Sequence, residues 1–119
     1  MAVISRDRVR DTSTTTGTGP FAVSGTAPTA NQTFSAVCAV GDVFNGVIAS
    51  QSANEWVSGL LTYSAANQIT VTQVYESSNA GSAVTFTAGI KDVWIDLPAS
   101  RFAALNGASV AQSNMRAWL

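Results

Sequence analysis

Asp92 and Asp96 are the only two carboxylates placed alike on one predicted strand, and at about 3.3 Å of rise per residue they stand roughly 13 Å apart. Glycoside hydrolysis needs a carboxylate pair roughly 5 to 9.5 Å apart. With Lys91 next to them, a solvated strand face is the better reading. The chain has no His, which removes Ser-His-Asp and Cys-His nucleophile systems and nearly all zinc sites. Gly17-Thr18-Gly19-Pro20 has the look of a phosphate loop, yet no Gly-Lys-Ser/Thr follows and Pro20 offers no backbone donor. It reads as a turn. Cys38, the single cysteine, lies in an apolar stretch without a basic neighbour to activate it, so it reads as a packed small hydrophobe. Asn31-Gln32-Thr33 matches a glycosylation acceptor, a signal short enough to arise by chance. Trp56, Trp94 and Trp118, with Tyr63 and Tyr75, could line a sugar-stacking platform, although in a small β domain such residues more often fill a core or an interface. The inventory therefore predicts no catalytic set, no cofactor and no metal.

Composition sets the frame around these residues. A chain of 119 residues has room for one core. Only 11% of it is charged and its net charge is −1, too little basic excess to neutralise a run of phosphates or to hold an anionic membrane. A direct nucleic-acid role is not expected, nor a membrane one. A weakly charged surface on a small chain favours association, which points to a homo-oligomer or a larger assembly. The amino end lacks the apolar stretch of a signal peptide, and one cysteine allows no internal disulfide, so folding in a reducing cytosol is expected.

Three segments follow from the pattern. Residues 1–20 alternate in charge and then run through a Thr/Ser/Gly tract, which predicts an extended arm. In strand conformation Arg6, Arg8 and Arg10 would share one face and could lie along an acidic groove of a neighbouring subunit. A solvated terminus is the alternative. Residues 21–99 read as short strands separated by turns: Phe21 to Val23, Phe34 to Val40, Val43 to Ala49, Glu55 to Tyr63, Gln68 to Glu76, Ala83 to Thr87 and Lys91 to Leu97. Gln68 to Glu76 has the clearest period of two, with Ile69, Val71, Gln73 and Tyr75 on one face. The last two segments suggest a hairpin. Together they predict an all-β domain, a single antiparallel sandwich or barrel. Residues 100–119 read as a short helix and tail stopped near Gly107. Trp118 and Leu119 end that tail, either packed on the home domain or inserted into a neighbour.

Three motifs in order carry more than this. Asp7-Arg8-Val9-Arg10-Asp11-Thr12-Ser13-Thr14-Thr15-Thr16-Gly17-Thr18-Gly19, then Glu55-Trp56 through Thr62-Tyr63, then Glu76-Ser77-Ser78-Asn79-Ala80-Gly81-Ser82 on through Lys91-Asp92-Val93 to Leu97-Pro98-Ala99 resemble a small domain of tailed-bacteriophage structural proteins. The resemblance runs from about Arg6 to Ala99 and leaves out Ser100 to Leu119. In that family the domain occurs as a short virion protein and at the amino end of tail-fibre-like proteins. The resemblance implies a non-enzymatic virion building block, assembled in the host cytoplasm, with itself and other virion proteins as partners, for example as a trimer. An anchoring position at the tail is expected first, and capsid decoration second. A carbohydrate-binding receptor module is the competing class. Arg6, Arg8, Arg10, Trp118 and Leu119 are the expected inter-subunit contacts.

Overall fold

The computed structural model describes residues 3–97. These residues form β1 (Val3–Ile4), β2 (Arg10–Ser13), β3 (Phe21–Ala22), one helical turn α1 (Phe34–Val37), β4 (Val43–Ser50), β5 (Trp56–Ala65), β6 (Gln68–Ser77) and β7 (Lys91–Ile95). In the long strands β4 and β5 burial alternates along the chain. Phe44, Gly46 and Ile48 of β4 and Val57, Gly59, Leu61 and Tyr63 of β5 are buried, while the residues between them are half-exposed. One face of the sheet therefore builds the core and the other meets the outside.

The strands pair in the order β2-β7-β4-β5-β6-β3, antiparallel throughout, and β1 adds a parallel pair on β4. The ring is nearly closed: beyond β3, Val23 bridges Ser13 of β2, and the Ser24 amide donates to Thr12 O at 3.0 Å. β3 meets β6 only at Phe21–Ile69 and Ala22–Gln68. Past that point side chains close the seam. Phe21 and Phe86 meet edge to face at 5.5 Å, and together with Val71, Val74 and Val84 they border an apolar void of about 10 Å³. The expected antiparallel sandwich or barrel is what forms.

The segment expected as an arm is extended, but residues 3–20 belong to the barrel. Val9 is 2% exposed, and Asp11 and Ser13 are buried. The Asp11 carboxylate accepts from the amides of Thr12 (2.6 Å), Ser24 (3.2 Å) and Gly25 (2.8 Å) and from the Ser24 hydroxyl. It ties β2 to the loop after β3. β1 fills an edge that β7 leaves open. The last β7 pair is Gly46–Ile95, after which the Asp96 amide donates to Asn45 O at 2.9 Å. The same register would carry residues 97 and 98 to Phe44 and Val43, and Pro98 has no N–H to donate. Val3 and Ile4 pair with those two residues instead.

Four other expectations change. Phe34 to Val40 is not a buried strand: Thr33 caps a helical turn by accepting from the Ala36 amide at 3.2 Å, and Phe34 stacks on Phe44 with centroids 5.1 Å apart. In β6 the period of two breaks at two bulges, where Thr72 and Tyr75 are the extra residues, so Val71 and Val74 pack against the same core. Ala83 to Thr87 makes a single bridge, Phe86 to Gly17, and no hairpin with Lys91 to Leu97, because β7 pairs with β2 and β4. Lys91 does not lie on a solvated face; it is fully buried. The expected helix and tail at 100–119, with Trp118 and Leu119, lie outside the described residues.

Candidate binding face and arginine cleft

Strand pairing determines which outward residues become neighbours. Trp94 of β7 lies opposite Val47 of β4, and Val47 opposite Ser58 of β5; one row along, Asp92, Ala49 and Trp56 line up. Asn45 lies opposite Leu60, and the Tyr75 hydroxyl donates to the Asn45 side chain at 3.0 Å, which lays Tyr75 across β5. The outer face of β7, β4 and β5 thus carries Trp56, Trp94, Tyr75, Leu60, Val47 and Ala49, all half-exposed.

At one margin of this face stands Arg10, opposite Trp94 in the β2–β7 pair. Its guanidinium carbon lies 4.7 Å from the Trp94 ring centre, a cation–π contact. Its Nη2 is 3.7 Å from Asp92 Oδ2, an ion pair too long to be a hydrogen bond. Asp92 in turn accepts from Gln51 Nε2 at 3.1 Å. Arg8, Val9, Arg10, Asn31, Trp94 and Ile95 line a cleft of about 180 Å³.

Two loops form the rim of the cleft. Arg8 (φ 59°) and Ala30 (φ 66°) both hold left-handed backbone conformations, which cost about 1 to 3 kcal/mol in residues with a Cβ. The Gln32 amide donates to Arg8 O at 2.6 Å, the Arg10 amide donates to Gln32 O at 3.1 Å, and Arg8 Nε donates to Ala30 O at 3.1 Å. The left-handed turn at Arg8 breaks the alternation that would have put Arg6, Arg8 and Arg10 on one face. Arg8 and Arg10 line the cleft together, and Arg6 is exposed outside its lining.

The remaining candidates resolve as parts of the fold. Asp96 accepts from its neighbouring Leu97 amide at 2.9 Å, while Asp92 faces Arg10 and Gln51. Gly17 bridges Phe86. Asn31 donates from its side chain to Thr29 O at 3.0 Å within a turn. Tyr63 is buried, its hydroxyl accepting from the Asn67 amide at 2.9 Å. Among the described residues no three His, Cys, Asp or Glu side chains gather as a metal site, and no helix is long and apolar enough to cross a membrane. Trp94 as the platform for Arg10 was not foreseen; the sequence signal is that Trp94 shares its parity with Asp92 on an outward row, but the partner strand that brings Arg10 there is not local.

Cys38 packs against the core, and burial, reinforced by the charge of Asp42, raises its thiol from an ordinary value of 9.0 to about 11. At pH 8 the thiolate, the reactive form, is then about 100-fold scarcer than in an unperturbed thiol. Alkylation of the folded protein by iodoacetamide is expected to be slower than that of the urea-unfolded chain by about that factor, and to climb with pH toward 11. Equal rates at pH 8 would contradict the raised thiol.

Comparison with known protein families, with curated proteins and with solved structures found no match to this chain.

Proposed function

We propose that this protein is a non-enzymatic structural subunit of a tailed-bacteriophage particle, associated with the tail or the fibre anchor and assembling with itself and with other virion proteins. The observation that carries this reading is the outer face of β7, β4 and β5. Interface cores are enriched in Trp, Tyr and Arg and depleted in Lys and Glu; Trp56, Trp94 and Tyr75 on this face, with Arg10 at its margin, have that composition. The low overall charge agrees with a surface covered in an assembly, and the ordered motifs from Arg6 to Ala99 supply the particle. A sugar-stacking module is less well supported, because Arg10 occupies a face of the Trp94 ring that a pyranose would need.

The test is a density map of the phage particle that encodes the chain. A ring or fibre root at the tail containing the barrel, with the Trp94 face against a neighbour, is the expected result. Density repeated over the capsid lattice would replace the anchoring role with decoration. Particles without the protein would overturn the reading.

A further inference from the structure

The Arg8–Arg10 cleft is a different feature from the apolar face beside it, and its chemistry is that of an oxyanion receptor. Among the described residues Arg8 uses only its Nε in a hydrogen bond. Arg10 is held in place by the Trp94 ring, while its ion pair with Asp92, at 3.7 Å, is longer than a hydrogen bond. Two guanidinium groups with donors to spare therefore border one small cleft, and guanidinium forks match carboxylate geometry.

The rest of the lining narrows the ligand. Val9 borders the cleft but buries its side chain in the core, so half-exposed Ile95 is the apolar residue left beside the arginines, a short patch for methylene groups leading to a charged end. A volume of about 180 Å³ is below the roughly 300 Å³ at which pockets for small molecules begin, so the cleft is sized for a side chain. Asp92 stands at Arg10, and a run of phosphates would meet that carboxylate as a repulsive neighbour, which argues for one anionic group. A sugar acid would want the Trp94 face that Arg10 covers. We propose that this cleft receives the carboxylate of a single glutamate side chain presented by a partner protein, with Arg8 and Arg10 donating to its oxygens and Ile95 packing on its methylenes. Asp92 acts as the internal competitor that holds Arg10 before the partner arrives. The inference stands whether or not the partner is a virion protein.

The experiment is an NMR titration of the full isotopically labelled chain with N-acetyl-glutamate N-methylamide, following the Arg Nε–H and Trp94 indole signals. Saturable shifts at Arg8, Arg10 and Trp94 in the millimolar range are expected, with none from the glutamine analogue. Arg10→Ala should weaken binding about tenfold, and Asp92→Asn should tighten it roughly two- to fivefold by removing the competitor. Arg10→Lys, which keeps the charge and loses the fork, serves as the second variant should Arg10→Ala lose its dispersed spectrum, and it too should bind more weakly. No saturable shift would overturn the proposal. Glucuronate or inorganic phosphate binding as tightly as the glutamate compound would overturn the assignment to a peptide side chain.

Discussion

Gly59→Ala is expected to lower the melting temperature by about 12 to 24 °C, corresponding to about 3 kcal/mol for a domain of this size. Gly59 lies on the inward side of β5, opposite Gly46 of β4, at the point where β5 and β6 shift register. A Cβ built on it would fall inside the Gln73 carbonyl oxygen, and would also stand 3.1 Å from Gln73 C and 3.2 Å from Val74 Cα. All three are backbone atoms of β6, so no rotamer change relieves the clash; the β5–β6 pair must part. That pair holds Leu61 opposite Val71 and brings Val74 to the core. Gly81→Ala is the control. Gly81 has a left-handed φ of 83° and open space around its Cβ, so its cost is conformational alone, about 1 to 2 kcal/mol. If thermal unfolding of Gly59→Ala differs from wild type by less than that of Gly81→Ala, β6 does not approach β5 as described.

The same site shows how far the sequence could be read. Val43 to Ala49 and Glu55 to Tyr63 are legible as strands, but apolar residues fall on both parities, Trp56 and Leu60 on one and Val57 and Leu61 on the other, so their faces do not follow from the pattern. In Gln68 to Glu76 the alternation is the clearest, but Thr72 and Tyr75 are inserted relative to β5, and a bulge is a property of two strands that one strand's pattern does not encode. For this reason Val74, which parity sets on the opposite face from Ile69 and Val71, packs against the same core. The arm is a second case: Val9, Asp11 and Ser13 alternate with polar residues and go inward, but the charged run around them masks a four-residue strand whose partner, β7, comes about 80 residues later. The arginine cleft was half-legible. Arg8 and Arg10 could be named as contact residues from charge and spacing, whereas the left-handed turn at Arg8 and the Trp94 ring beneath Arg10 arise from pairing with the 30–32 segment and with β7. Phe34 to Val37 went to a helix because Thr33 supplies a cap, a local signal that an apolar run obscures.

Lys91 gives the second large effect. It shares its parity with Val93 and Ile95, the inward residues of β7, so the signal for burial was present beside the two aspartates that suggested a wet face. The side chain is fully buried between Ser13 of β2 and Ser50 of β4 in the strand pairing, and among the described residues its Nζ has no hydrogen-bond partner. It lines neither the arginine cleft nor the apolar void. A buried polar group without a partner costs about 1 to 3 kcal/mol by the measure of protein substitutions, whereas a methionine occupies nearly the same volume with no donor to satisfy. Lys91→Met is therefore expected to raise stability by about 1 to 3 kcal/mol, and the melting temperature by about 4 to 8 °C for each kcal/mol. Lys91→Ala relieves the same amine but removes the stem and leaves a cavity, so it should be less stable than Lys91→Met by about 2 to 5 kcal/mol. The gap between the two variants measures the stem, which supports the barrel by packing, and the sign of Lys91→Met reads the amine, which opposes it. Should Lys91→Met destabilise as much as Lys91→Ala, the amine must hold a partner inside the barrel, and Lys91 would become a polar anchor between β2, β7 and β4.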